Sequence, residues 1–372
     1  MRISKLKTPA VLLRKEVLLQ NIENYQRRAF EQGKALWPMT KTPKSSDILR
    51  LQGQAGAGGV LCGTLDECEQ AVELGFNQVM YAYPFTDPVA IKRVMDLSNR
   101  VDFYVRLDSV EGARILQEAL EETATQLNYL LIIDAGLHRF GVEPREAAKL
   151  VEDISAFKNL TFKGIATHPG HVYQASDPAQ LSDYAEEELQ ALKEAKSIIE
   201  SLGIPVEMVS TGSTPTYRWE VLSELVTHLH PGNYVFHDAV QIALGVVDVE
   251  QVSLVVLSSV ISNPREGIYL IDAGAKCLGL DKGAHGNTNI QGHGIILGHE
   301  DALLQSVSEE VGVLRAPQGS FALGERVMII PNHACTTANL TSFLYLEHHG
   351  ELVGVFEVDI RGNSALDSSL NR

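Results

Sequence analysis

Three short segments of the chain carry residues whose types and spacing could support chemistry. Lys41 follows an apolar stretch, residues 211–216 read Thr-Gly-Ser-Thr-Pro-Thr, and His333 and Cys335 are two positions apart. A lysine amine held out of water can form a Schiff base with an aldehyde. Backbone N–H groups and hydroxyls at the start of a helix bind phosphate. A histidine–cysteine pair suits a borderline-soft ion such as zinc.

Each of these features also has an ordinary structural explanation. Lys41 could be a solvated charge, residues 211–216 could be a simple capping turn, and a single His-x-Cys pair more often binds nothing. Together, an amine, a phosphate cup and room for a ring favour pyridoxal phosphate, whose aldehyde condenses with lysine. We expect His333 and Cys335 on a strand, where residues i and i+2 point the same way and can share one ion.

The elements that would position these residues alternate between strands and helices. Eight apolar runs without clean polar alternation are typical of parallel strands covered on both faces. They span residues 34–38, 58–62, 78–83, 101–107, 129–134, 162–168, 206–211 and 227–230. Thr64 with Glu67 predicts a capping box, and Asp87-Pro88 predicts a helix start. The simplest arrangement is a (β/α)8 TIM barrel, with an open doubly wound sheet as the alternative.

After about residue 245 the pattern changes to strand-like segments with short turns. These segments are 252–261, 267–272, 292–297, 326–331 and 352–361. They predict a C-terminal all-β domain that carries the metal pair, and residues 8–13 are strand-like enough to pair with it. The predicted domains are therefore a barrel of residues 14–245 and a β domain made of residues 1–13 and 246–372.

The composition limits the classes of partner. The 372 residues include 31 Lys and Arg against 47 Asp and Glu, a net charge of −16, which disfavours nucleic acid and anionic membranes. No apolar run reaches the ~18 residues of a membrane span, and no signal-peptide core follows Met1, so we expect a cytoplasmic enzyme. The four cysteines form neither a zinc ribbon nor a disulfide framework, and reduced thiols are expected.

A series of motifs in a fixed order covers nearly the whole chain. They are Thr8-Pro9-Ala10, Pro38-x-x-Lys41-Thr42-x-Lys44, Arg139-Phe140-Gly141-Val142, His168-x-Gly170-His171-x-Tyr173, residues 212–216, Pro231-Gly232-Asn233-Tyr234, residues 272–276 and Pro331-Asn332-His333-x-Cys335. In this order they resemble the D-threonine aldolase and D-serine dehydratase group of alanine-racemase-like pyridoxal-phosphate enzymes. The resemblance implies an N-terminal barrel, a C-terminal β domain and a homodimer.

The resemblance also implies roles for particular residues. Lys41 would bind pyridoxal 5′-phosphate covalently and act as the base, His168 would pack against the pyridine ring, and Arg139 and Tyr173 would complete the catalytic pocket. The expected cofactor-binding residues are Lys41, His168, Tyr173, Thr211, Gly212, Ser213, Thr214, Gly232, Asn233 and Tyr234. His333 and Cys335 correspond to the metal pair, with zinc as the expected ion and manganese as the alternative.

The implied activity is a metal-assisted lyase reaction on D-β-hydroxy amino acids, of the D-serine, D-threonine or 3-hydroxyaspartate dehydratase type. A cysteine at the second metal position is typical of the dehydratase branch, whereas the aldolase branch carries a carboxylate there. Retro-aldol cleavage, racemisation or epimerisation, and cofactor binding without turnover are the alternatives. Trp37, Met39 and Pro43 replace an Arg and two His of the group, and Val311 replaces a third His, which predicts an altered substrate pocket or proton relay.

Overall fold

The computed structural model describes residues 1–121, 123, 125–283 and 286–362. The chain enters the barrel through strand β1 and helix α1, and the barrel strands then alternate with helices. The strands are β1 (Ala10–Arg14), β2 (Ala35–Leu36), β3 (Val60–Cys62), β4 (Gln78–Tyr81), β5 (Asp102–Leu107), β6 (Leu127–Ile132), β7 (Leu160–Ala166), β8 (Met208–Thr211) and β9 (His228–Leu229). The helices are α1 (Lys15–Glu31), α2 (Ser46–Gln54), α3 (Leu65–Glu73), α4 (Pro88–Ser98), α5 (Val110–Leu120), α6 (Ala147–Ile154), α7 (Leu181–Ser201), α8 (Tyr217–Glu220) and α9 (Ala239–Ala243).

Strands β2 to β9 form the barrel. Across the described residues they make one eight-stranded sheet in the order β2-β9-β8-β7-β6-β5-β4-β3, with every pairing parallel. The sheet closes because Thr40 N–H donates to Leu61 O at 2.9 Å and Leu61 N–H donates to Pro38 O at 3.1 Å. The predicted barrel is confirmed, and each of the eight predicted runs overlaps a strand.

Side chains cap the two helix starts that the sequence predicts, but one of the two caps differs from the prediction. Asp87 caps α4 by accepting from the N–H groups of Val89 and Ala90. Thr64 caps α3 by accepting from Glu67 N–H at 3.3 Å, but the reciprocal half of the predicted capping box is absent among the described contacts. Glu67 instead accepts from Gly63 N–H at 2.6 Å, and its carboxylate also bonds Thr40 and Lys44 in the loop after β2.

The rest of the described chain forms a second, largely antiparallel sheet with β1. Its strands are β10 (Leu254–Arg265), β11 (Ile268–Ile271), β12 (Gly294–Ile296), β13 (Leu303–Val307), β14 (Gly312–Arg315), β15 (Arg326–Pro331), β16 (Phe343–His348) and β17 (Glu351–Glu357), and its helices are α10 (Ala275–Leu278) and α11 (Ala334–Asn339). β1 pairs antiparallel with β10 and parallel with β16. The sequence patterns did not predict β13, β14 or β16, because these strands are only partly buried and their apolar runs are interrupted by polar residues.

The second sheet packs against the barrel around the loop that follows β9. Val235 and Phe236 of that loop belong to the same buried apolar cluster as Leu254 of β10 and Ala334 of α11. This packing places the start of α11 beside the barrel rim. Among the described residues, no helix combines the length and the apolar composition that are needed to cross a bilayer.

Candidate active site

One cavity of about 530 Å³ lies at the carboxyl ends of the barrel strands, where the start of α11 also reaches. A volume of this size accommodates a cofactor together with a small substrate. The predicted site residues that line it are Lys41, Arg139, His168, Tyr173, Gly212, Ser213, Thr214, Gly232, Asn233, His333 and Cys335. Residues that are as much as 294 positions apart in the chain therefore meet in one space.

Lys41 lies on the cavity wall just after β2. Within the described part of the chain, its ammonium group forms no hydrogen bond or ion pair, although its positive charge acts on His168. The amine is therefore available to condense with an aldehyde.

The second lysine of the same loop has a structural partner. Lys44 Nζ lies 2.6 Å from Oε1 of Glu67, and the carboxylate of Glu67 is completely buried. Glu67 also accepts from the hydroxyl of Thr40, so it connects the loop of Lys41 to helix α3. The sequence does not reveal this role, because the spacing of Thr64 and Glu67 indicates a local helix cap and only the folded chain brings Glu67 to Lys44.

His168 presents a neutral imidazole to the cavity. Its Nδ1 lies 3.1 Å from the carbonyl oxygen of Gly212, and a carbonyl only accepts, so Nδ1 carries the hydrogen. Burial first, and then the charge of Lys41, lower the pKa of His168 well below its ordinary value. A neutral ring here can pack against a second aromatic ring without burying a charge.

Glycines and hydroxyls form the predicted phosphate cup between the loops after β8 and β9. A Cβ on Gly212 would lie 2.4 Å from His230 N, and one on Gly232 would lie 2.8 Å from Thr42 Oγ1, so a side chain fits at neither position. The hydroxyl of Thr214 accepts from Tyr234 N–H at 3.1 Å, which leaves its own hydrogen for a ligand. The cup therefore offers neutral donors on a tightly packed backbone, and its residues fit a phosphate group.

Thr211 and Tyr234 belong to the predicted cofactor-binding set, but neither residue lines the cavity. The hydroxyl of Thr211 donates to Glu188, whereas Ser210, one residue earlier on β8, points inward and bonds His230. Successive strand residues point to opposite faces, which explains the difference. The phenol of Tyr234 accepts from Gln52 Nε2 at 2.9 Å, so both residues support the cup from behind.

His333 and Cys335 also lie differently from the prediction. Strand β15 ends at Pro331, and His333 is the N-cap of α11 with Cys335 in its first turn, so the predicted strand geometry was wrong. Both side chains nevertheless line the cavity, and Cys335 Sγ lies 3.3 Å from Thr42 Oγ1 beside Lys41.

The charges of this pair suit a metal ion. Asp281 binds Nδ1 of His333 and leaves Nε2 as the ligand atom, an arrangement common around metal-binding histidines. Burial alone would lower the pKa of His333, but Cys335 and Asp281 raise it to about 11. Burial alone would raise the pKa of Cys335, but His333 lowers it below its ordinary value. The pair is therefore a thiolate beside an imidazolium, and zinc would take the place of the Nε2 proton, since zinc binds thiolate sulfur and neutral imidazole nitrogen. Glu16, His348 and His349 form a separate cluster whose ligand atoms lie within 4.8 Å of one another, with Glu16 and His349 exposed.

Two further residues of the site went unpredicted. Asp238 is buried and accepts from Asn233 Nδ2 at 2.6 Å and from Ala334 N–H at 2.9 Å, so it connects the cup to α11. Arg106 lines the cavity with a buried guanidinium that donates to Ser210 Oγ at 3.0 Å, and burial lowers its pKa to about 10. An arginine inside the apolar run 101–107 was the signal available in the sequence.

The four departures from the group's motifs occupy different environments. Met39 lines the cavity, whereas Trp37 is packed inside the barrel and its carbonyl accepts from His230 Nδ1 at 2.8 Å. Pro43 is buried in the loop, and Val311 lies in the turn between β13 and β14. Met39 is therefore the departure that bears directly on the pocket.

Comparisons with known proteins agree with this fold. The family described as alanine racemase, N-terminal domain, matches residues 14–239, and a serine dehydratase domain matches residues 253–346. D-threo-3-hydroxyaspartate dehydratase of Delftia sp. (strain HT23) is 30% identical over 349 residues, which cover 89% of this chain and 92% of that protein. D-serine dehydratase of Dictyostelium discoideum is 28% identical over 385 residues, covering 95% and 97%.

Solved structures show the same architecture. D-threonine aldolase from Filomicrobium marinum superposes with a TM-score of 0.88 at 24% identity over 98% of each chain, which demonstrates the fold. The Delftia dehydratase superposes with a TM-score of 0.86 at 29% identity over 96% of this chain and 98% of that one. The chain belongs to the alanine-racemase-fold family of pyridoxal-phosphate enzymes, in the group that contains D-threonine aldolase and D-serine dehydratase. It is a pyridoxal-phosphate-dependent lyase.

Proposed function

We propose that this lyase removes water from D-β-hydroxy amino acids with the help of a divalent metal. The observation that carries the proposal is the meeting of two groups in one cavity: the amine of Lys41 and the His333–Cys335 pair. Cys335 contacts Thr42, which is the residue after Lys41. In this proposal the substrate's α-carbon lies beside Lys41, and its β-carbon points toward the His333–Cys335 pair.

Lys41 performs the proton chemistry in this proposal. Pyridoxal phosphate, when bound, supplies the electron sink that makes a substrate's α-proton removable. Lys41 Nζ both holds the cofactor and accepts the proton from Cα, since no other described residue ties it to a hydrogen bond or an ion pair. His168 supports the ring as a neutral imidazole.

The phosphate and the substrate are oriented by the remaining cavity residues. We assign the phosphate to Gly212, Ser213, Thr214, Gly232 and Asn233, with Thr211 and Tyr234 holding these loops from behind. Arg139 places an exposed guanidinium at the mouth, and Tyr173 lines the wall. Both are positioned to contact anionic or polar groups of the cofactor–substrate pair.

The metal pair would act on the leaving group. Zinc, or manganese as the alternative, would supply Lewis acidity toward the β-hydroxyl when bound by His333 Nε2 and Cys335 Sγ. Asp281 fixes the orientation of the His333 ring, and the first turn of α11 fixes Cys335. Two protein ligands leave positions open for water and substrate.

Retro-aldol cleavage is the second candidate. 3-Hydroxy-D-aspartate aldolase of Paracoccus denitrificans (strain Pd 1222) is 27% identical over 372 residues, covering 96% of this chain. Both reactions need the same lysine and the same metal, and they differ in which bond at Cβ breaks. We favour dehydration because the second metal residue is Cys335, as in the dehydratase branch that the sequence motifs resemble.

We also propose that the enzyme is a homodimer. Phe343 on β16 and Val353 and Val355 on β17 are large apolar side chains that this chain leaves exposed. Contiguous exposed apolar side chains at the edge of a sheet are typical of an interface with a second copy.

A substrate panel tests the proposed function. We expect zinc- and cofactor-loaded protein to form a 2-oxo acid and ammonia in equal amounts from D-serine, D-threonine and D-threo-3-hydroxyaspartate, and nothing from the L enantiomers. A chelator should lower these rates by about 10²-fold or more, since the Lewis acid contributes several kcal/mol. Glycine and an aldehyde would establish the aldolase reaction. Conversion of D-alanine to L-alanine that survives chelation would establish a racemase, and binding without turnover would establish a carrier.

A further inference from the structure

A buried pair of carboxyl groups lies behind the phosphate cup. Glu188 of α7 and Glu220 of α8 are both 0% exposed, and their side chains contact each other. Among the described residues, neither forms an ion pair with a lysine, arginine or histidine. Two carboxylates cannot share such a site without a proton between them.

The pair is connected to the cup by hydroxyl groups. Glu220 accepts from the hydroxyl of Thr216, and Thr216 Oγ1 lies 2.6 Å from Ser213 Oγ, which lines the cavity. On the other side, Glu188 accepts from the hydroxyl of Thr211, which precedes Gly212 of the cup. The hydroxyls of Thr216 and Ser213 therefore connect the Glu220 carboxyl to the cavity through two hydrogen bonds, and the backbone N–H of Ser213 also interacts with Glu220 directly.

Both carboxyl groups of the pair have an oxygen without a donor, and both have a raised pKa. Oε2 of Glu188 and Oε2 of Glu220 are buried and have no hydrogen-bond donor among the described residues. Because the two carboxyl groups touch, they hold at least one proton between them, and burial, and then the facing carboxyl of Glu220, raise the pKa of Glu188 well above its ordinary value. Burial raises the pKa of Glu220 to about 7, so this group changes charge near neutrality.

The protonation state of Glu220 determines whether the hydroxyl of Ser213 can donate a hydrogen bond to a ligand in the cavity. When Glu220 is ionised, Thr216 donates to Glu220 and Ser213 donates to Thr216, so only lone pairs of Ser213 face the cavity. When Glu220 is protonated, the chain of hydroxyls can reverse and Ser213 can donate into the cavity. A phosphate dianion only accepts hydrogen bonds and is repelled by a nearby carboxylate, so it favours the protonated state.

The groups packed around the pair do not replace it as the source of this change. Tyr25 of α1 and Tyr217 of α8 face Glu220, and burial raises the pKa of both phenols far above neutrality. Arg28 of α1 acts on the same two phenols from an exposed position, and Thr211 of β8 does not titrate. Of the described groups that face the pair, these two phenols and the Thr211 hydroxyl keep their charge around neutral pH, which leaves the pair itself as the source of the change.

We propose that the Glu188–Glu220 pair positions and charge-balances the cofactor's phosphate by taking up one proton when the phosphate enters the cup. The proton comes from solvent and is added to the Glu220 carboxylate, while no covalent bond forms or breaks. Cofactor binding is thus coupled to proton uptake, and the pair acts through Thr216 and Ser213. The inference rests on the proposed cofactor site and adds a function for two buried acids that the lyase chemistry leaves unused.

Calorimetric titration of the full chain tests the coupling. The probe is 4′-deoxypyridoxine 5′-phosphate, which lacks the aldehyde, so Schiff-base formation at Lys41 does not enter the measurement. Between pH 7 and 9.5 its phosphate stays a dianion, because the second pKa of a phosphate monoester is about 6. The heat of binding in buffers of different ionisation enthalpy gives the number of protons taken up. For the wild type we expect uptake of up to one proton and an affinity that falls by up to about tenfold per pH unit above 7.

A double variant and a matched control separate the pair from general charge effects. Glu188→Gln with Glu220→Gln removes both carboxyl groups. We therefore expect this variant to bind the probe without proton uptake, and its affinity to fall less steeply with rising pH than that of the control. Glu186→Gln with Glu194→Gln removes the same number of carboxyl groups at exposed positions of α7 and should behave like the wild type. If the double variant folds poorly, Glu220→Gln alone tests the same point, because it removes the carboxyl that takes up the proton and leaves the other groups of the cavity unchanged.

The outcomes distinguish a failure of the proton coupling from a failure of the assigned cofactor site. Probe binding by the wild type without proton uptake would overturn the coupling and leave the cofactor site intact. A double variant that keeps the wild-type pH slope would overturn it as well. If the wild type binds the probe at no pH, the assigned cofactor site fails and the coupling fails with it.

Discussion

Replacing Lys41 by alanine is expected to lower the lyase rate by about 10³-fold or more, because one atom, Nζ, both holds the cofactor and accepts the α-proton. The loop around it should survive, since Lys44 and Thr40 remain anchored by Glu67. Initial rates with D-threonine measure the loss. Borohydride reduction followed by peptide mass spectrometry should find the cofactor on Lys41 in the wild type and nowhere in the variant.

Lys44→Arg is the matched control for this experiment. It lies in the same loop, and arginine can keep the ion pair with Glu67, but a guanidinium cannot form the Schiff base. We expect this variant to retain the adduct on Lys41 and most of its activity. A Lys41→Ala protein that stays active, or an adduct that forms on Lys44 in the wild type, would contradict the assignment.

Replacing Cys335 by alanine is expected to remove bound zinc and to lower dehydration by about 10²-fold or more, since a Lewis acid contributes several kcal/mol at the leaving group. Cofactor binding should persist, because Cys335 lies in α11 rather than in the cup. Metal analysis of the purified protein and rates of 2-oxo acid formation measure the two effects.

Cys277→Ala supplies the comparison for the cysteine variant. Cys277 is also a free cysteine, it lies in α10, and it does not line the cavity. We expect this variant to keep one zinc per chain and the wild-type rate. Zinc retained by Cys335→Ala together with an unchanged rate would refute the metal assignment.

The barrel could be predicted because its signals are local and repeated. Each buried parallel strand reads as a short apolar run, and caps such as Asp87 mark the helix starts. The second sheet was harder, because strands such as β13 are short and half exposed. Its pairing with β1 joins residues more than 240 positions apart, and only the strand character of residues 8–13 indicated it.

The candidate site was likewise predictable from the sequence only in part. Motifs predicted Lys41, His168 and the cup, whose residues line one cavity, but nothing in Pro331-Asn332-His333 shows that the strand stops before His333 and Cys335. Asp281 was beyond prediction because its partner is 52 residues away and no motif surrounds it. The domain boundaries, the homodimer and the cytoplasmic location remain predictions.

Anomalous diffraction at the zinc edge, from crystals grown with pyridoxal phosphate and zinc, tests the central claim most directly. We predict a single peak about 2.0–2.1 Å from His333 Nε2 and about 2.3 Å from Cys335 Sγ, with continuous density from Lys41 Nζ to the cofactor in the same cavity. A peak confined to the exposed cluster of Glu16, His348 and His349, with none in the cavity, would contradict a metal-assisted lyase site.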